Sequence, residues 1–146
     1  MADAVIERLT EATAEAAQQI DELLGQLTEH AETLDADRLA LIVGSPGALY
    51  VARVDGVIVG IICRVDLHHP VRSKAWVEDL VVDEKYRGQG IARRLFETLI
   101  AEVPSEIVSL NLNSKVSRTD SHRLYSKLGF EVREDSRIWR LVLPEK

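Results

Sequence analysis

The sequence predicts a mixed α/β (α+β) domain with two helices first, then a largely antiparallel sheet closed by a parallel strand–helix–strand crossover. Three observations carry this. Ile20, Leu23, Leu24 and Leu27 recur at i, i+3, i+4 and i+7, the apolar stripe of a helix. From residue 48 to 67 the pattern becomes two β-rich runs around Asp55-Gly56, a hairpin signal because both turn positions need positive φ. Helical spacing then returns at Ile91, Leu95 and Leu99 between two strand-like runs, as a parallel crossover requires.

The elements follow in order. "AVIER" (4–8) reads as a short first strand, and about Ala12 to His30 as the first helix. Asp35 caps a second short helix carrying Leu39, Ile42 and Val43, which "GSPG" (44–47) ends. The hairpin fills 48–67, and "KAWVEDLVVD" (74–83) is a further strand. A helix within 88–103 runs to about Pro104, and "EIVSLNLN" (106–113) is strand. Ser117 to Leu128 reads as helix. Ser117 and Asp120 have capping-box spacing, with Thr119 as the other candidate cap. Gly129 stands where a helix C-terminal glycine belongs, and "RIWRLVL" (137–143) is a last strand.

No repeat or linker-like tract interrupts the 146 residues, so a single domain over 1–146 is expected. The net charge of -6 argues against bulk nucleic acid as the partner. No apolar run has the length of a membrane span, and the N-terminus lacks a secretory pattern. One cysteine, Cys63, excludes an internal disulfide, and a cytoplasmic location is expected. His68 and His69 adjoin in a polar connection with no spaced partners, so no metal site is expected.

The chemistry concentrates at "EKYRGQGIA" (84–92). A helix N-terminus offers unpaired N–H groups and a positive dipole end, and Gly88 and Gly90 let a ligand approach the backbone. Arg87 adds charge, with Lys85, Arg93 and Arg94 nearby. A phosphate or pyrophosphate is the natural guest. A Walker loop is excluded because Ile91-Ala92 replace Lys-Ser/Thr, and a dinucleotide fingerprint fails at Arg93.

Arg87-Gly88-Gln89-Gly90-Ile91-Ala92 resembles the R/Q-x-x-G-x-G/A signature of the GNAT superfamily of N-acetyltransferases, and "LYSKLGF" (124–130) is similar to that family's second landmark. The resemblance implies a GNAT-like fold, a mixed, mostly antiparallel sheet of six to seven strands flanked by about four helices. It implies acetyl-CoA as the cofactor and an amine acceptor as the partner, with direct transfer and no acyl-enzyme. The pyrophosphate would lie on the N–H groups of 87–92, from Arg87 and Gly88 through Gln89 and Gly90 to Ile91 and Ala92. The pantetheine arm would pair with the backbone of Leu80, Val81 and Val82. Tyr125 would be the general acid, and a backbone N–H at about Leu80 or Val81 would stabilise the oxyanion.

Glu78 is the candidate base. In a regular strand it shares a face with Trp76, Leu80 and Val82, while Asp79, the other candidate, points away; a bulge in this strand, which the resemblance implies is common, would change these faces. An exposed carboxylate, or one paired with Arg64, is the structural alternative. Arg118, His122 and Tyr125 fall on one helical face at i, i+4 and i+7. Arg118 stands where the family commonly has asparagine, and is read as a cofactor or acidic-group contact, with a surface salt bridge as the alternative. His122 is read as a structural or surface residue rather than a catalytic one, and Cys63 as a packing residue. The acidic residues from Glu7 to Glu32 are read as a solvated face; the resemblance implies that this region lines the acceptor site, where it would favour a cationic amine. A non-catalytic acyl-CoA-binding module is the alternative function, and a homodimer is one expected assembly.

Overall fold

The computed structural model describes residues 3–145 and divides into two compact units, residues 1–113 and 114–146. The first holds β1 (Val5–Arg8), α1 (Ala14–Leu27), α2 (Ala36–Val43), β2 (Gly47–Val54), β3 (Val57–His68), β4 (Ser73–Val82), α3 (Ile91–Ala101) and β5 (Ile107–Asn111). Its sheet has the order β1-β2-β3-β4-β5. The first four strands pair antiparallel, and β5 runs parallel to β4 after the α3 crossover.

Local chemistry explains most boundaries. Thr13 caps α1 by accepting from the Ala16 N–H, and Asp35 caps α2 by accepting from the Arg38 N–H at 2.8 Å. Asp55 and Gly56 take φ of 50° and 80°, the left-handed pair that a two-residue hairpin turn demands. Gly47 opens β2 at φ 131°, and a Cβ there would lie 1.9 Å from the Arg64 carbonyl oxygen. Its own carbonyl accepts from Arg8, so one glycine ties β1, β2 and β3 together.

The helices cover opposite sheet faces. Ile20, Leu23, Leu34 and Leu39 form one core with Leu49, Val51, Ile61 and Val81 of the sheet. On the other face Gly60 admits Leu95 of α3, whose Cδ1 would lie 3.3 Å from an added Cβ. Leu95, Phe96 and Leu99 are fully buried. Polar side chains of α1 also fasten it. Gln19 accepts from the Ile58 N–H, Asp21 from the Leu34 N–H and Gln26 from the Glu84 N–H. The acidic stretch is therefore only partly a solvated face: Asp21 bonds to backbone, and Glu7 and Glu32 pair with Arg53 and Arg38.

The second unit contains α4 (Thr119–Lys127). Arg118 is the N-cap residue and makes no capping bond, so the expected Ser117–Asp120 box is not formed. Residues 137–143, expected as the last strand, carry no strand pairing in this unit taken by itself. The described sheet thus has five strands rather than six to seven. A strand exists through its ladder, and β-rich composition alone does not supply one.

Gly47→Ala is expected to remove at least about 2 kcal/mol of stability, because it adds left-handed strain to an overlap with backbone that cannot move aside. Urea unfolding of the variant and the parent protein measures this.

Candidate active site

The catalytic candidates of the first unit stand on β4, which is irregular where they occur. Cys63 pairs with Glu78 and Ile61 with Val81, so Asp79 and Leu80 together oppose Ile62 alone. This is a β-bulge, and Asp79 carries its strain at φ 54°. The extra residue shifts the pleat. Glu78 shares its face with Trp76 and then with Val81, not with Leu80 and Val82 as a regular strand would have it.

β4 also loses its second neighbour. Pairing with β5 ends at Trp76 opposite Asn111, while β4 continues to Val82. From Val77 to Val82 its outer edge has no strand partner within this unit. Apart from the Val82 carbonyl, which Arg87 engages, this edge can receive an extended ligand as an added strand. Leu80 is half-buried at this edge, and Val81 and Val82 anchor it from the core.

Glu78 and Asp79 have no ion-pair partner among the described residues. Arg64, the alternative partner for Glu78, instead bonds Asp66 through Nε at 2.8 Å, buried beneath the sheet. Burial pushes the Glu78 carboxyl above its ordinary value, and the Asp79 charge pushes it further. Burial also raises Asp79. Both side chains keep access to water, which moderates these shifts. Cys63 packs against the α1–α2 core, and burial, followed by the charges of Asp79 and Glu78, pushes its thiol up to about 12. A thiol that stays protonated at neutral pH is a poor nucleophile.

The strand leads directly into the glycine loop. Asp83 accepts from the Lys85 N–H and starts a short 3₁₀ turn, Glu84–Tyr86. Arg87 folds back, its Nε donating to the Val82 carbonyl at 3.0 Å. Gly88 and Gly90 take φ of 78° and 81°, and a Cβ on either would meet open space. The left-handed backbone, rather than crowding by the protein, therefore demands glycine here. Gly90 is the N-cap of α3 and supplies no side-chain cap. The backbone N–H groups of 88–93 donate to no protein acceptor among the described residues. This cluster of free donors at a positive helix end is an anion cradle. The arginines beyond it are engaged elsewhere. Arg93 pairs with Glu97 at 2.7 Å, and Arg94 donates to the Ala4 carbonyl at 2.7 Å. Sequence proximity alone could not have revealed this.

Arg118 and Tyr125 belong to the second unit. Here the "LYSKLGF" stretch has a physical explanation. The Phe130 N–H donates to the Tyr125 carbonyl, and the Gly129 N–H to that of Ser126. With Gly129 at φ 96°, these bonds make a Schellman cap. Its accompanying contact is the Phe130 ring edge-on to Tyr125, with centroids 6.3 Å apart. The glycine and phenylalanine thus hold the backbone and one side of the tyrosine ring. His122 lies 6.3 Å from Tyr125, and its Nε2 meets the Lys115 carbonyl at 3.0 Å and Ser114 Oγ at 3.2 Å. It fastens the entry turn to α4. Arg118, outside the helix proper, makes no ion pair among the described residues.

The fold agrees with what the chain is similar to. The profile of the Acetyltransferase (GNAT) family matches residues 16–130. The chain belongs to that family. It is 33% identical over 100 residues to N-alpha-acetyltransferase 30 of Xenopus laevis and of Homo sapiens, covering 67% of this chain but 36% and 27% of theirs. The chain thus spans about a third of the length of these curated relatives. A Trypanosoma brucei acetyltransferase structure aligns at a TM-score of 0.76 and 30% identity, covering 97% of this chain and 100% of that one. Glucosamine-6-phosphate N-acetyltransferase from Arabidopsis thaliana shares the fold at a TM-score of 0.78 and 23% identity, covering 95% of this chain and 99% of that one. Among the described residues no helix is long and apolar enough to cross a membrane.

The carboxyl shifts fix a pH dependence. Raised folded values mean that the stability these groups contribute is full below their unfolded values, about pH 4, and is lost as pH rises through the folded values. A Glu78→Gln, Asp79→Asn double variant is therefore expected to unfold at higher urea than the parent at pH 7, and at the same urea near about pH 3.5. Asparagine also tolerates the left-handed backbone at 79. Cys63→Ala is expected to keep its turnover, and the parent thiol to resist alkylation at pH 7.5 relative to free cysteine.

Proposed function

We propose that this protein is an acetyl-CoA-dependent N-acetyltransferase whose acceptor is the α-amino group of a polypeptide. The observation that carries the reading is the continuity of β4. A bulged strand with an unpartnered outer edge runs into a loop whose N–H groups, from 88 to 93, lack protein acceptors. One extended ligand with an anionic end fits both features. The α-amino acceptor is supported by the relatives whose printed name is N-alpha-acetyltransferase.

Acetyl-CoA supplies an activated thioester. Its pyrophosphate is held by the backbone of Arg87, Gly88, Gln89, Gly90, Ile91 and Ala92. Its pantetheine arm pairs along Leu80, Val81 and Val82, and Arg118 adds a cation for its phosphates. In the reaction the amine nitrogen forms a bond to the acetyl carbon, and the carbon–sulfur bond breaks. Glu78 accepts the amine proton, and burial makes its carboxylate a stronger base than an ordinary one. Asp79 keeps that carboxyl raised by its charge. A backbone N–H at Leu80 or Val81 bonds the oxyanion, and Tyr125 gives the departing thiolate its proton. Cys63 takes no part. Residues 1–146 act as one catalytic domain, cytoplasmic in location, and need no metal.

Thermal unfolding with acetyl-CoA, with ATP and NAD as controls, tests the cofactor. At about a hundred times its dissociation constant the ligand adds about 2.7 kcal/mol. A shift with acetyl-CoA alone is expected, and none at saturation would remove the basis of the reading. Tyr125→Phe is expected to lower turnover on an N-terminal peptide by at least about tenfold while cofactor affinity stays within about twofold. Unchanged turnover would remove Tyr125 from the mechanism.

A further inference from the structure

We propose that the outer part of the β3–β4 hairpin is a ledge that reads the acceptor polypeptide, taking an apolar side chain at its third residue and an acidic one at its fifth. This inference rests on the N-acetyltransferase reading. The register puts Glu78, Trp76 and Lys74 of β4 on one face with Cys63, Val65 and Leu67 of β3. Cys63 still packs against the core beneath α1 and α2. Beyond it the face opens, with Val65 38% and Leu67 40% exposed. Trp76 is half-buried among them, and Lys74 Nζ lies 5.8 Å from the centre of its ring.

This face has an electrical direction. The Glu78 carboxyl stands at the inner end and has no ion-pair partner among the described residues. Lys74 at the outer end pairs with no carboxylate there either. Residues two apart on a strand are separated by about 6.6 Å, so Lys74 stands about 13 Å from Glu78 along β4. An extended acceptor rises by the same step and repeats its faces with the same period. With its amine at Glu78, its third side chain falls over Trp76, Val65 and Leu67. Its fifth falls beside Lys74. The ledge is therefore complementary to a chain bearing an ammonium first, an apolar group in the middle and a carboxylate beyond.

The test uses the full chain, acetyl-CoA and synthetic peptides that differ only at the fifth residue (Glu or Lys) or the third (Leu or Ser). The parent protein is expected to favour Glu over Lys at the fifth residue by about fivefold in kcat/KM at low salt, as an exposed ion pair allows. Lys74→Glu is expected to invert that ratio, and added salt to flatten both. Trp76→Ala is expected to abolish the preference for Leu at the third residue. A Glu-to-Lys ratio identical in the parent and Lys74→Glu proteins, with peptides acetylated by both, overturns the ledge and leaves the transferase reading standing. A parent protein that binds acetyl-CoA but acetylates no peptide overturns the polypeptide acceptor and the ledge with it.

Discussion

The candidate site depends on one mismatch, two residues of β4 set against one of β3. Ile62 faces both Asp79 and Leu80, and the strand twists to accommodate the surplus. Three consequences follow. Glu78 stays on the face that α1 and α2 cover only in part. Leu80 and the residues after it are turned along an edge that β5 has already left. Val82 delivers the chain into the glycine loop, where Arg87 returns to bond its carbonyl. At the bulge Asp79, a residue other than glycine, holds a left-handed backbone, and a strain of about 1–3 kcal/mol is typical of functional positions of this kind.

The core is what holds that strain in place. α1 is fixed by apolar packing on the sheet and by three side-chain bonds to backbone N–H groups, from Gln19 to the sheet, Asp21 to the α1–α2 connection and Gln26 to the turn after β4. The last of these reaches Glu84, at the start of the loop. Gly47 fixes the far end of β2 against Arg64. The irregular strand is therefore held by a packed core and by bonds to the backbone at the start of β3 and just after β4.

What the sequence made legible is what local chemistry decides. Asp35 capped its helix, Asp55-Gly56 made its hairpin, and Gly129 ended its helix, each through contacts within a few residues. The glycine loop was legible because Gly88 and Gly90 are needed for backbone shape, which sequence encodes directly. The bulge was suggested only by the resemblance and not by the residues themselves, because it is a relation between two strands and Asp79 carries no sign of it. Nor were the partners of Arg64, Arg93 and Arg94, since each had several acceptors within reach by sequence alone. The cap of α4 was misread because Ser117 and Asp120 have the right spacing, yet the chain turns through Lys115 and Ser117 and enters the helix at Thr119. The stretch 137–143 has strand composition but no ladder in its own unit, so composition set the expectation and pairing did not follow there.

The free donors of 88–93 also give the protein a built-in clock. Amide hydrogens bonded in a ladder or helix exchange with solvent only when the structure opens, whereas those without an acceptor exchange at nearly the rate of an unstructured chain. The sheet on one side of this loop and α3 on the other are buried and bonded. A short fast-exchanging segment is thus framed by slow ones, and occupancy by any anion is written into a few adjacent peptide groups. Ligand residence can be timed there without a label, a coupled assay or knowledge of the acceptor.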